Sequence, residues 1–404
     1  MVIGIDASRA NRTLRTGTEW YSFYIIQQLA ALDRDNQYIL YLDKAAAPDL
    51  AAAIAPYSNF RFQILHWPWR YFWTLGRLSW EMLWHRPDVL FVPAHSLPLI
   101  HPRRTITTIH DIAFAREEEV YQKKTIRWEN RPGKLFFNFL LRFLSFGRYQ
   151  LNSLDYLAWS TAYALKHARK IITVSEFTKK EILDVYSPHN PDKIEVVHNG
   201  YPRDLYFPVP DSRERRAILE KYNLREPFFL YVGRLEKKKN TPALIEAFAL
   251  FKESHPRDGA GLVLIGNAGF GYDEVKYIVE EYNLGKAVVM PGWVEENDLP
   301  AIFSAALAFV FPTLHEGFGI PVLQAMACGT PVAMSDLPVL REIAGDAAAY
   351  FNPRDKTDIS SVLAELCENK KLRGDLIAKG LERAQGFSWE KSARETLKIL
   401  INGH

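Results

Sequence analysis

The sequence predicts an α/β protein made of two doubly wound parallel-sheet domains. Short apolar segments rich in β-branched and aromatic residues alternate with longer amphipathic ones, the pattern that βα units around a parallel sheet require. That alternation occurs twice, once in each half of the chain. The length of 404 residues, with 48% hydrophobic and 24% charged, is globular in composition and suits two domains better than one.

In the first half the strand candidates are VIGIDA from Val2, QYILYLD from Gln37, DVLFVPA from Asp88, TITTIHD from Thr105, KIITVSE from Lys170 and KIEVVHNG from Lys193. In the second they are FFLYVGR from Phe228, GLVLIGN from Gly261, AVVMPGW from Ala287, LAFVFPT from Leu307 and PVAMSD from Pro331. Between the halves, Pro202, Pro208 and Pro210 each remove a backbone donor and discourage continued secondary structure. The junction is therefore placed there, with residues 1–203 in the first domain and 204–387 in the second. Open parallel sheets bind ligands beyond the carboxyl ends of their strands, so two such domains are expected to face each other across a cleft. No short tandem period argues for a solenoid.

A net charge of +3 is too small to suggest a nucleic-acid partner. Cys328 and Cys367 are the two cysteines, without metal-ligand spacing, which argues against a disulfide scaffold and structural zinc and fits a reducing cytoplasm. The start MVIGIDASRA reads as a first buried strand and not as a signal peptide, so the mature chain is expected to begin at Met1. No apolar run reaches the roughly 18 residues of a spanning helix, so membrane contact would be peripheral.

The strongest local signal is AFVFPTLHEGFGIPVLQAMACGTPVAMSD. A buried strand ends near Pro312, Gly317 and Gly319 permit a tight turn, and Pro321 suits the start of a short helix that Gly329 closes. Such a turn aims backbone N–H groups and the positive end of a helix dipole at a ligand, an environment for phosphate or sugar hydroxyls. Glu316, just before it, can accept hydrogen bonds from a sugar. The plain alternative, a tidy strand-loop-helix, leaves that charge at the turn unexplained. A second turn, FFLYVGRLEKKKNTPALIEAF, places Arg234 and Lys239 after Gly233 and before a helix opened by Thr241 and Pro242. Taken alone it reads equally as a solvated basic turn; paired with the first it offers positive charge where a departing diphosphate gathers negative charge.

GRLEKKKN followed about eighty residues later by HEGFGIPVLQAMACGTPV resembles the large retaining glycosyltransferase family called group 1, or family 4. In the first half TGTEWYSFYI matches the family's glycine loop, TIHDIAF its His-Asp strand end, and ARKIITVSEFTKKEI with VVHNGYP its last units before the junction. The resemblance covers most of the chain and implies the GT-B fold, two Rossmann-like domains, the first binding acceptor and the second the nucleotide-sugar donor.

Carried over residue by residue, the resemblance implies that Arg234 and Lys239 bind the donor diphosphate, that Glu316 contacts the transferred sugar, and that the backbone of Phe318, Gly319 and Ile320 lies beside sugar and phosphate. It implies that His110, at a strand end with Asp111, touches the donor sugar and assists catalysis; without it, His110 reads as a satisfied strand-end histidine. Gly17, in Thr16-Gly17-Thr18 before a helix with Tyr21, Ile25, Leu29 and Leu32 on one face, is expected to let that turn close over the diphosphate. Asn267, Gly292 and Val294 are expected neighbours of the base. The family's second glutamate, which holds the ribose, is replaced by Gln324, an amide that can still bind hydroxyls but without a charge-assisted bond.

The implied reaction is transfer of a hexosyl group, mannose or glucose, from a UDP- or GDP-linked sugar to a glycan or polyprenyl-linked acceptor in surface polysaccharide biosynthesis. It retains anomeric configuration and uses no cofactor and no metal. Asp33-x-Asp35 follows the first helix as a polar turn, and no paired carboxylates argue for double displacement. The alternatives are a catalytically silent nucleotide-sugar-binding subunit, which Gln324 encourages, or another GT-B enzyme such as a nucleotide-sugar epimerase.

Two further segments bear on the acceptor. Residues 67–84 hold five of the ten tryptophans and could form a sugar platform, a membrane-interface surface or a packed core helix. Residues 123–150 carry seven Lys or Arg against one acidic residue around LFFNFLLRFLSF, either a peripheral docking element at the inner face of the plasma membrane or an internal packing helix. At the C-terminus, Trp389, Ala393, Leu397 and Leu400 mark a helix, 388–404, expected to complete the first domain.

Overall fold

The computed structural model describes residues 1–67, 73–115, 153–269 and 272–402. The chain separates into two compact units, Met1–Asn199 with Trp389–His404, and Gly200–Ser388. The 123–150 segment lies outside the described residues, as do residues 68–72 of the tryptophan-rich stretch.

The first unit holds a seven-stranded sheet of β1 (Val2–Asp6), β2 (Gln37–Leu42), β3 (Phe60–Ile64), β4 (Val89–Val92), β5 (Thr105–Ile109), β6 (Lys170–Thr173) and β7 (Ile194–Val196). Its order is β3-β2-β1-β4-β5-β6-β7, with every neighbouring pair parallel. The second holds β8 (Phe228–Val232), β9 (Gly261–Ile265), β10 (Val288–Gly292), β11 (Ala308–Phe311), β12 (Val332–Ser335) and β13 (Ala349–Phe351). Here the order is β10-β9-β8-β11-β12-β13, again parallel throughout. Both sheets therefore reverse direction of growth beside their first strand, between β1 and β4 and between β8 and β11. These are Rossmann-like sheets, and the switch points fix where ligand chemistry belongs.

Parallel strands covered on both faces need near-continuous apolar sequence, and the central strands have it. Ile3, Ile5, Leu90, Phe91, Ile106 and Ile171 are fully buried in the first sheet, as are Phe229, Leu230, Phe309 and Val310 in the second. Two strands went unanticipated, β3 and β13, and both lie at sheet edges. FRFQI alternates polar and apolar residues and buries only Phe60, as an edge strand allows, and AYF is too short to register as a run.

The helix Trp389–Asn402 packs on Gly17–Leu32, where Trp389 stacks on Tyr24 at 5.4 Å. Arg104 donates to the carbonyls of Leu400 and Ile401 at 3.2 and 2.8 Å, holding its last turn. Arg203 belongs to the second unit, donating to the Phe387 carbonyl at 3.1 Å. Asp33 closes the first helix by accepting from Tyr38 at 2.6 Å and Asn36 at 2.7 Å, so its carboxylate is spent on the turn. Among the described residues, no helix is long and apolar enough to cross a membrane.

Candidate active site

The carboxyl ends of β8, β9 and β10 each finish in a glycine with positive φ: Gly233 at 156°, Gly266 at 144° and Gly292 at 79°. The glycines are laced by backbone bonds, Gly233 N–H to the Ile265 carbonyl at 2.9 Å and Gly266 N–H to the Gly292 carbonyl at 3.0 Å. A Cβ on Gly266 would stand 1.9 Å from the Gly233 carbonyl oxygen, so only glycine allows this approach. Asn267 follows, exposed, its carbonyl accepting from Leu235 N–H at 3.0 Å. The result is a shelf of bare backbone along three strand ends.

Beside the shelf, Lys237–Lys239 form a single 3-10 turn, and Asn240 at φ 58° starts the helix Thr241–Ser254. Asn240 Nδ2 donates to the Pro353 carbonyl at 2.7 Å and fixes the turn. Lys237 is exposed and pairs with Glu274 at 2.8 Å, whereas Lys238 is half-buried and its carbonyl accepts from Leu314 N–H at 3.1 Å. That bond ties the loop after β8 to the loop after β11 across the switch point.

Glu316 lies on the second of these loops. Its Oε2 accepts a charged hydrogen bond from Lys239 Nζ, and both side chains are 18% exposed. The ammonium also sits 5.6 Å from the centre of the Phe311 ring. Arg234 reaches Glu236 at 3.5 Å and is 56% exposed, so it rests at the rim with its guanidinium in water. Tyr231 lies below, fully buried, donating to the Arg234 carbonyl at 2.9 Å. Burial, and then the carboxylates of Glu316 and Glu236, hold its phenol well above its ordinary pKa, so it stays a neutral donor.

The helix Ile320–Ala327 begins at Gly319, whose φ of 99° turns the chain, and no side chain caps it. Its start is thus left with backbone N–H polarity and a positive dipole end. Its far end closes through Gly329 at φ 68°, with Thr330 N–H on Ala325 and Gly329 N–H on Met326 at 3.0 and 3.1 Å. Gln324 is half-buried and makes no side-chain hydrogen bond among the described residues. The structure therefore gathers Gly233, Arg234, Lys239, Glu316, Gly317, Gly319 and Ile320 at the β8/β11 switch point. The Phe318 ring instead turns inward, 3% exposed and edge-on to Phe387 at 5.9 Å, leaving its backbone as its contribution.

Val294 is 3% exposed, so its side chain packs inside the unit, while its neighbour Trp293 is 45% exposed. In the sequence Trp293 reads as the end of the apolar strand AVVMPGW. Gly292, at φ 79°, ends that strand just before the indole.

In the first unit His110 follows β5. Its Nε2 lies 3.2 Å from the Pro93 carbonyl, so that nitrogen carries the proton and Nδ1 is left as an acceptor. The ring meets Tyr21 edge-on at 4.7 Å, and Tyr21 comes from the helix that Gly17 begins. Burial, followed by the neighbouring His95, pushes the His110 pKa down to about 4, so the imidazole is neutral at physiological pH. Gly17 is the first helical residue, and a Cβ there would meet nothing within 4 Å. Packing within the unit gives no reason for glycine at this place. His95 was missed in the sequence; its Nε2 lies 2.8 Å from the Asp111 carbonyl and braces the loop that carries His110. Among the described residues, no three His, Cys, Asp or Glu side chains gather as metal ligands.

Residues 213–383 match the family described as glycosyl transferases group 1, and residues 15–205 match glycosyltransferase family 4. The O-antigen chain mannosyltransferase B of Escherichia coli is 30% identical over 337 residues, 83% of this chain and 78% of that one. The chain belongs to the group 1 glycosyltransferases. It is also 29% identical over 231 residues to the serotype-specific mannosyltransferase WbdA of Escherichia coli, 56% of this chain but only 28% of that protein's length. In fold this glycosyltransferase is similar to Anabaena Alr3699/HepE, solved in complex with UDP-glucose, with a TM-score of 0.72 at 15% identity over 99% of each chain.

Proposed function

We propose that this glycosyltransferase moves a hexosyl group, mannose first and glucose second, from a UDP- or GDP-linked sugar to a glycan or polyprenyl-linked acceptor in surface polysaccharide biosynthesis. The observation that carries the reading is the Lys239–Glu316 pair at the β8/β11 switch point, beside the glycine shelf and the uncapped helix start. Lys239 and Arg234 supply cations to a diphosphate, and Glu316 supplies an acceptor for sugar hydroxyls. The ribose takes Gln324, and the base takes the shelf formed by Asn267 and Gly292. The mannosyl preference is supported by the two Escherichia coli relatives, both mannosyltransferases, and the nucleotide-sugar donor by the UDP-glucose held by the Anabaena protein.

Bond changes follow from that arrangement. The bond between the anomeric carbon and the diphosphate oxygen breaks, its electron pair staying with the phosphate that Lys239 and Arg234 neutralise. Glu316 is paired with a lysine and not with a second carboxylate, which favours front-face transfer with retention over double displacement. The acceptor oxygen bonds the anomeric carbon, and its proton passes to the departing phosphate. His110, neutral with Nδ1 as acceptor, holds a donor-sugar hydroxyl during transfer. No metal or cofactor has a step in this scheme.

The test is a thermal-shift screen against uridine, guanosine and adenosine diphosphates and their mannosyl and glucosyl forms, with and without a chelator. A selective shift, indifferent to chelator and lost in Lys239→Ala, supports the donor site and names the base. A selective shift without turnover would favour the silent nucleotide-sugar-binding subunit that Gln324 encourages, and absence of any shift would remove the donor site.

A further inference from the structure

A hollow of about 650 Å³ opens at the amino ends of β5, β6 and β7, on the edge of the first sheet opposite the one that carries His110. Arg103 stands just before β5, Arg169 just before β6 and Lys193 just before β7. Lys166 joins them from the last turn of the helix Ser153–His167. Ligands of open parallel sheets sit at the carboxyl edge, so this hollow belongs to neither the donor turn nor the His110 loop.

Its charged lining has one sign. Arg103, Lys166, Arg169 and Lys193 are cations, and among the described residues no Asp or Glu lines the hollow. The acids closest in sequence lie outside it: Glu195 is held by Lys170 at 2.6 Å, and Asp184 and Asp192 are not part of the wall.

The needs of the fold account for one of these cations. Lys193 Nζ donates to the carbonyls of Leu165 and Ala168, the latter at 3.4 Å, and so answers the negative end of the helix Ser153–His167. Arg103 and Lys166 are exposed and make no hydrogen bond or ion pair among the described residues, and Arg169 is exposed beside them. His167 feels two of the four: burial, and then Lys166, His101 and Lys193, hold its pKa below the ordinary value. It therefore adds an aromatic wall, stacked on Tyr163 at 4.3 Å, and not a further charge.

Like charges gathered in one concavity repel each other, and guanidinium and ammonium groups find their best complement in phosphate oxygens. The volume is that of a small-molecule pocket. None of the lining residues is a large apolar side chain exposed to solvent, so nothing there would enter a bilayer.

We propose that Arg103, Lys166 and Arg169 form an anion site for a soluble, multiply charged phosphate compound, at the far edge of the first unit from His110. The ligand would tie the segments before β5 and β6 to the end of the helix Ser153–His167. This site is independent of the donor reading.

The experiment is calorimetric titration of the full-length Arg234→Ala/Lys239→Ala variant with pyrophosphate, at low and high salt, since that background lacks the cations of the proposed donor site. Expected is binding that high salt weakens and that the further change Arg103→Gln/Lys166→Gln weakens at least tenfold. Melting temperature without pyrophosphate should not change on that step, because both side chains are already in water. Equal affinity with and without Arg103→Gln/Lys166→Gln would overturn the proposal, as would absence of pyrophosphate binding in the background variant. Binding to phosphatidylglycerol vesicles in place of pyrophosphate would also overturn it and give the hollow to lipid headgroups.

Discussion

Lys239 and Glu316, 77 positions apart in sequence, neutralise each other at the junction of two βα loops while each remains only 18% exposed. A half-desolvated pair of this kind is poised for exchange, because an entering diphosphate offers the ammonium a stronger partner and frees the carboxylate for hydroxyls. Lys239→Ala and Arg234→Ala should each lower turnover by roughly a hundredfold or more, the scale of losing one preorganised charge stabiliser. In Lys239→Ala, Glu316 stays close to where diphosphate charge develops with its compensation gone, so adding Glu316→Gln should cost less than the product of the single losses. Steady-state kinetics on the two single variants and the double variant checks this; wild-type turnover in Lys239→Ala removes the diphosphate site.

Gln324 offers a gain instead of a loss. Its side chain makes no hydrogen bond among the described residues, and replacing it by glutamate would place a carboxylate where ribose hydroxyls are expected. A charge-assisted bond exceeds a neutral one by about 1 kcal/mol, so Gln324→Glu should tighten nucleoside diphosphate binding about fivefold with little change in turnover. Calorimetric titration with the nucleotide identified by thermal shift decides it. Unchanged or weaker binding places the ribose elsewhere.

Much of this site was legible because its parts lie at strand ends. If FFLYVGR and LAFVFPT are parallel strands, the residues after them must gather at a sheet's carboxyl edge, and Arg234, Lys239 and Glu316 do. Pro321 and Gly329 marked the limits of the helix between β11 and β12, since each suits only one helix end. Edge strands β3 and β13 escaped because partial exposure or brevity erases the apolar run on which strand reading depends. Trp293 and Val294 show the other limit. Periodicity cannot tell which of two adjacent apolar residues faces outward beyond a strand end, and here, after the positive-φ Gly292, Val294 is buried and the indole exposed.

The neutral state of His110 makes the first unit sensitive to acid. Its pKa is pushed down to about 4, below the ordinary histidine value of 6.5 that the unfolded chain regains. Between those values the unfolded chain binds the extra proton, so the stability contributed is complete above pH 6.5, declines through the window and is gone below pH 4. Its full size is at most roughly 3 kcal/mol. His110→Gln can place an amide donor near the Nε2 position for the Pro93 carbonyl but cannot titrate. Its unfolding free energy should therefore fall less than the wild type's on going from pH 7 to pH 4.5, by roughly 2 kcal/mol in urea melts. Parallel losses in the two proteins would mean that His110 is as solvated as a free histidine.

Gly17 separates a demand of folding from a demand of function. At Gly266 an added Cβ collides with the Gly233 carbonyl, so Gly266→Ala must distort the loops and should cost several kcal/mol of stability and all donor binding together. At Gly17 the same carbon enters open space on the first turn of a helix with ordinary φ, and the unfolded chain loses freedom. Gly17→Ala should then be as stable as the wild type or more so, by about 0.5–1 kcal/mol. If the glycine is there for a phosphate group to approach the helix start, the methyl group fills that approach and turnover falls by at least tenfold while melting temperature holds or rises. Turnover matching the wild type would show that the space at Gly17 stays empty during the reaction, and the glycine-loop role would have to be given up.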